Sequence, residues 1–177
     1  MKFNKEYNKN IESILYSENF IKLKKDTHHG TTKYAHSKRV AYLSFLLAKI
    51  FKADSYSVSR AGILHDFFYG TRLENDENSY LKHPIVAANN AINYFHITEK
   101  EANIIKSHMY HYDILKHIIT RKNDEVNEYY IKYKPKDRES VIVCISDLLV
   151  SLYEGIMYKV RYNCALYMLF LINVIGI

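Results

Sequence analysis

The sequence predicts an all-α fold, and three observations carry that prediction. Only 5 Gly and 2 Pro occur in 177 residues, too few for a fold of many short strands and tight turns. Apolar residues recur at helical spacing in Ile11, Ile14 and Leu15, and again through Val40, Leu43, Phe45, Leu46, Leu47 and Ile50, without strand-like alternation. Capping residues stand in front of several apolar runs, where a helix start needs a side-chain acceptor.

Taken in order, the first helix centres on Ile11, Ile14 and Leu15. "TT" at 31 and 32 caps a second, over 33–52. Asp54 or Ser55 caps a third that runs through Phe68. "YGTRLENDENSYLK" (69–82) is polar, has no periodic face and reads as a loop. Pro84, suited to the first helical position, opens a fourth helix through Phe95. "TEKE" (98–101) is a capping box that starts a fifth, ending near His108. Residues 110–137 are mixed, with a short helix around 114–119. The last clear helix, "ESVIVCISDLLVSLYE" (139–154), is apolar apart from a buried-looking Asp147.

The length suits one domain, 1–177, with a sizeable core. The tail "CALYMLFLINVIGI" ends an apolar C-terminal helix over 160–177. It is shorter than the stretch of about 20 residues a bilayer needs, so it reads as a core or homodimer-interface helix rather than a membrane span. The N-terminus has no continuous apolar run of the secretory kind. Cys144 and Cys164 form no CxxC pair and read as reduced core residues of a cytoplasmic protein.

A net charge of +6 and a pI near 9.1 fit a nucleic-acid binder or an enzyme of phosphorylated anions equally well. The basic residues are scattered. The clusters "KLKKD" (22–26) and "KYKPKDR" (132–138) read as solvated faces, and no recognition helix for specific nucleic-acid binding stands out.

The distribution of histidine and aspartate is more informative. His36 lies in the first turns of the second predicted helix, and His65 and Asp66 near the end of the third. His83 is at the mouth of the fourth, His108 at the end of the fifth and Asp147 inside the last. Imidazole and carboxylate donors without thiolate suit divalent iron, manganese, zinc, cobalt or nickel. Adjacent helical residues point about 100° apart, so His65 and Asp66 cannot both face a conventional core, yet both can reach an ion where a helix ends. His96 and His117 read as ordinary core or boundary residues. Asp147, flanked by Ile145, Leu148 and Leu149, would be costly to bury without a partner.

His36, the His65–Asp66 doublet and Asp147 resemble the H...HD...D signature of the HD-domain metal-dependent phosphohydrolases. "HSKRVAYLSFLLAK" (36–49), "RAGILHDFF" (60–68) and "VIVCISDLLVSLYE" (141–154) look like that family's signature helices, within a family-like core of about 31–154. The resemblance implies an HD-type helical bundle and a divalent transition metal, as one ion or two. One ion would take His36, His65, Asp66 and Asp147. His83 and His108 resemble the added histidines of subgroups that hold a second ion, with Asp66 as bridge. Those subgroups include dinucleoside-tetraphosphate hydrolases and cyclic-dinucleotide phosphodiesterases. The His83–Pro84 dipeptide resembles the latter, but a full GYP-type motif is missing, so that specific activity is not implied.

The expected reaction is hydrolysis of a phosphate ester or anhydride by metal-activated water. No Ser, Thr or Cys nucleophile sits beside a base in a recognisable motif. Asp66 would hold or bridge metal and orient the water. Arg39, one turn from His36, is either a phosphate clamp or a surface ion pair. Lys33, Lys106 and His111 are candidate substrate or outer contacts. "HHGTT" (28–32) either presents amides to an anion or caps the helix. Tyr34, Tyr69 and Tyr110 could stack on a base, which leaves a nucleotide as the expected small phosphorylated partner. The rival readings are a non-catalytic nucleotide-binding module of the same fold and a helical nucleic-acid binder.

Overall fold

A computed structural model of the chain describes residues 2–28, 30–70, 79–110 and 132–175. Among them are seven α-helices: α1 (Lys2–Leu15), α2 (Glu18–Ile21), α3 (Lys33–Phe51), α4 (Ser55–Leu64), α5 (Ser79–Phe95), α6 (Glu99–Ser107) and α7 (Arg138–Ile175). A 3-10 turn, Lys22–Lys24, follows α2. The strands β1 (Thr27–His28) and β2 (Thr31–Thr32) make a minimal antiparallel hairpin with Thr27 opposite Thr32. The all-α prediction holds.

Local chemistry sets most boundaries. The Thr32 hydroxyl accepts from the Ala35 N–H at 3.2 Å and caps α3, so "HHGTT" performs its capping role. α3 closes on Lys52 in the left-handed region (φ 51°). The Asp54 carboxylate accepts from the N–H groups of Tyr56 and Ser57, both at 3.1 Å, and starts α4. The capping box at α6 is complete: the Thr98 hydroxyl accepts from the Glu101 N–H, and the Glu101 carboxylate accepts from the Thr98 N–H.

Four expectations need correction. α4 ends at Leu64 rather than Phe68, because the Phe67 and Phe68 N–H groups turn back onto Leu64 O and Asp66 O. α5 begins at Ser79, a turn ahead of the expected start, so Pro84 lies inside it and the helix forgoes one main-chain hydrogen bond. The last helix does not stop near 154 but runs on to Ile175; an isolated Gly155 costs only about 1 kcal/mol and does not break it. Cys144 is buried as expected, whereas Cys164 is exposed. The expected short helix around 114–119 lies outside the described residues.

The core is the space enclosed by α1, α3, α4, α6 and the first half of α7. Ile11, Ile14, Phe20, Leu23, Phe45, Ile63, Leu64, Phe67, Ile104 and Ile105 are fully buried there, each contributing roughly 1.5–3 kcal/mol. α3 and α4 approach closely at Gly62, where a Cβ would stand 3.0 Å from the Ala41 Cα. Any side chain there would wedge apart the two helices that carry His36 and His65. α7 packs on α3, α4 and α6, and the Arg60 guanidinium on α4 donates to Glu101 on α6 at 2.7 Å.

α7 changes character along its length. Ile142, Val143, Cys144, Ser146, Asp147, Val150 and Glu154 are buried, whereas residues 158–168 are all exposed. The described part of the apolar tail is therefore not core in this chain. Arg138–Met168 is long and apolar enough to cross a membrane by length and composition alone, but its first half is built into the domain.

Candidate metal centre

The doublet sits where α4 ends. His65 is the C-cap of α4, and its Nδ1–H donates to Gly62 O, three residues back, at 2.8 Å. The last-turn carbonyls of a helix lack next-turn partners and are available for such a bond. His108 repeats the arrangement at the end of α6, with Nδ1–H donating to Ile105 O at 2.7 Å. In both rings the proton is thereby placed on Nδ1 and the Nε2 lone pair points into the cluster.

Two overlapping groups form. His36, His65 and Asp147 each offer an atom within 4.8 Å of the others, as do His65, Asp66 and His108, and all five residues are buried. His36 Nε2 lies 3.1 Å from Asp147 Oδ1, which is 3.6 Å from His65 Nε2. His83, projecting from α5, brings its Nε2 to 3.0 Å from His108 Nε2 and 3.4 Å from Asp66 Oδ1. Asp66 divides its oxygens between the groups: Oδ2 is 3.7 Å from His65 Nε2, and Oδ1 is 3.8 Å from His108 Nε2. The six sequence-predicted ligands, His36, His65, Asp66, His83, His108 and Asp147, thus converge from three helices and two helix-end turns.

The donor chemistry fits a divalent ion. His65 Nε2 is buried and has no hydrogen-bond partner among the described residues, an expensive arrangement unless something accepts its lone pair. Two imidazole Nε2 atoms facing each other at 3.0 Å, beside a carboxylate oxygen, are likewise laid out as ligands of a common centre. With nitrogen and oxygen donors alone, the set suits borderline divalent metals.

The electrostatics divide along the same line. Burial disfavours the charged form of His36, but its hydrogen bonds to Asp147 and Glu154 more than offset this and lift its pKa to about 10. Burial likewise opposes ionisation of Asp147, yet the hydrogen bond from His36 and the neighbouring imidazoles hold its carboxyl well below the usual carboxylate range. His108 goes the other way: burial, then the fields of His65 and His83, push it down to about 3.

Glu154 is the buried side chain of the cluster that sequence reasoning missed. It is buried, and its Oε2 lies 2.9 Å from His36 Nδ1. A signal was present: Asp147, Ser151 and Glu154 repeat at i, i+4 and i+7, a polar stripe on one face of an apolar helix. Arg39 does lie on the His36 face of α3, where its Nη1 donates to Glu154 Oε1 at 2.6 Å and its side chain is 44% exposed.

The remaining candidates are more peripheral. Lys33 is 1% exposed and donates to Phe68 O at 3.0 Å and Gly70 O at 2.7 Å, with its ammonium over the Phe68 ring. It therefore secures the segment after the doublet. Lys106 is half-buried on α6. His111 lies outside the described residues. Tyr34 packs on Phe20, Tyr69 donates its hydroxyl proton to Asn19 O, and Tyr110 is half-buried.

A family model for the HD domain matches residues 34–152. The chain belongs to the HD-domain family. A solved structure similar to it is the HD domain of the L. monocytogenes phosphodiesterase PgpH, at 21% identity and a TM-score of 0.46, covering 75% of this chain and 80% of that one. A search of curated proteins finds no match.

Proposed function

We propose that this chain is a cytoplasmic metal-dependent phosphohydrolase that cleaves a phosphate ester or anhydride of a nucleotide or similar small molecule with water as nucleophile. The observation that carries the reading is the Asp66 carboxylate, with Oδ2 turned towards His65 and Oδ1 towards His83 and His108. That geometry supports a carboxylate shared by two adjacent cation sites. His36, His65, Asp66 and Asp147 would hold one ion, and Asp66, His83 and His108 the other. Bound there, divalent ions supply a water of lowered pKa and polarise a phosphoryl oxygen.

The chain's own residues do the rest. Asp66 orients the nucleophile, and the ligand rings exclude bulk water because every one is buried. Arg39 serves as a phosphate clamp. Its Nη1 is fixed on Glu154 while the side chain borders a cavity of ≈ 330 Å³ that Arg161, Tyr158 and Tyr162 also line. With Tyr153 the cavity has two guanidinium groups and three phenol rings beside it, and with Glu154 already paired to Arg39 this suits an anionic, ring-bearing molecule.

The test combines elemental analysis of the purified protein with a panel of nucleotides, dinucleotides and simple phosphate mono- and diesters. Stoichiometric metal and cleavage of at least one class, both lost in Asp66→Ala, are expected. Stoichiometric metal with no cleavage, and an Asp66→Ala variant altered in ligand binding alone, would replace this reading with a non-catalytic nucleotide-binding module.

A further inference from the structure

His65 and His108 find Nδ1 acceptors within their own helices because each stands just past a helix end. His36 has no such recourse. It is the fourth residue of α3, and the carbonyl three residues before it, Lys33 O, is already in position to serve the helix's own hydrogen-bond ladder. Its Nδ1 acceptor is Glu154, 118 residues away on α7.

We propose that Glu154 is a positioning residue for the metal centre. By accepting the Nδ1–H of His36 it keeps that proton in place, so that Nε2 is the nitrogen presented beside Asp147 to the ion. Three observations support it. Asp147 and Glu154 are two helical turns apart on α7 and grip opposite nitrogens of the one ring, at 3.1 and 2.9 Å. The Glu154 side chain is 4% exposed, so its carboxylate is not a solvated bystander. Arg39 holds Oε1 at 2.6 Å, which leaves Oε2 aimed at the ring. A carboxylate behind a ligating imidazole fixes the ring's orientation and raises its basicity.

The inference rests on the metal reading above, so the experiment must separate the two. Wild type, Glu154→Gln, Glu154→Met and Asp147→Ala are titrated with Mn²⁺ and Zn²⁺ alone against a chromophoric chelator, and their metal-free thermal unfolding is recorded. Glu154→Gln keeps an oxygen for the Nδ1–H, whereas Glu154→Met fills the same volume without an acceptor. Glu154→Met should lose about 10–100-fold in affinity for the ion at His36 while still folded, and Glu154→Gln should stay within about threefold of wild type. A folded Glu154→Met with wild-type affinity would overturn the proposal, as would a Glu154→Gln as defective as Glu154→Met. If the wild type binds no metal, or Asp147→Ala binds it unchanged, the metal reading itself fails; if those controls behave and Glu154→Met does not, only the role of Glu154 falls.

Discussion

The two halves of the metal centre are built on opposite principles. The half around His36 and Asp147 is an ionic construction across long sequence distances: an imidazole in the first turn of α3 is gripped by two carboxylates of α7, one of them also bound by Arg39. The half around His83 and His108 is a stack of buried rings, with Phe68 against His83 at 5.4 Å and His83 against His108 at 5.0 Å. Its orientation comes from a helix-end carbonyl. In the absence of metal the first half is therefore held together by charge, and the second by burial and ring packing.

Removing the charge should give the largest effect. Asp147→Ala strands His36 beside one carboxylate only, and breaking a buried pair in this way costs roughly 3–5 kcal/mol. A urea midpoint in chelator should fall accordingly, and metal bound by the His36 half should disappear from elemental analysis. A variant as stable as wild type would show that the first half is no more ionic than the second.

The halves should also fail in opposite pH directions when metal-free. His36 has a folded-state pKa raised from 6.5 to about 10, so its contribution is present below pH 6.5 and is lost as the pH climbs towards 10. His108 is depressed from 6.5 to about 3: the unfolded chain takes up the proton first, and stability present above 6.5 is lost as the pH falls towards 3. Urea midpoints in chelator should trace a maximum near neutrality. His36→Gln should flatten the alkaline limb alone, and His108→Gln the acid limb alone. A single variant that flattened both would collapse the distinction.

Stoichiometry discriminates the halves next. His83→Ala touches only the second, so metal content should drop from about two equivalents per chain to about one. Metal-free stability should also fall, because the ring is buried against Phe68 and His108 and its removal leaves a cavity. Complete loss of metal would mean that the two groups form one indivisible site.

Ligands that stand at helix ends were the more legible in sequence, and the reason is physical. Helix ends announce themselves locally: the Thr98–Glu101 box and the Asp54 cap fix where α6 and α4 begin, and their apolar faces say where His108 and His65 emerge. Asp147 was legible because an aspartate among aliphatic residues demands a partner. Glu154 was not, since a glutamate near the expected end of a helix reads as solvent-facing, and only the continuation of α7 past Gly155 places it inside. The start of α5 was misjudged for a related reason. Proline favours the first turn but tolerates an interior position when tertiary packing supports the turn before it.

The smallest expected effects come from the caps, and they probe whether each half depends on its own helix end. Thr32 caps the helix that bears His36, and Thr98 caps the one that leads to His108. Either alanine substitution should cost about 1 kcal/mol, read as a shift in thermal midpoint with metal content unchanged. Thr98→Ala should be the costlier. The Thr98 hydroxyl also lies 3.0 Å from Glu101 Oε2, and the other Glu101 oxygen accepts from Arg60, so losing the cap loosens the tie between α6 and α4 that keeps His108 opposite His65. Thr98→Ser should restore it. The Thr32 cap has no such second tie, and His36 is held from α7 whatever the first turn of α3 does. A Thr32→Ala penalty approaching that of Asp147→Ala would reverse the picture, making the first half the one that rests on local helix structure.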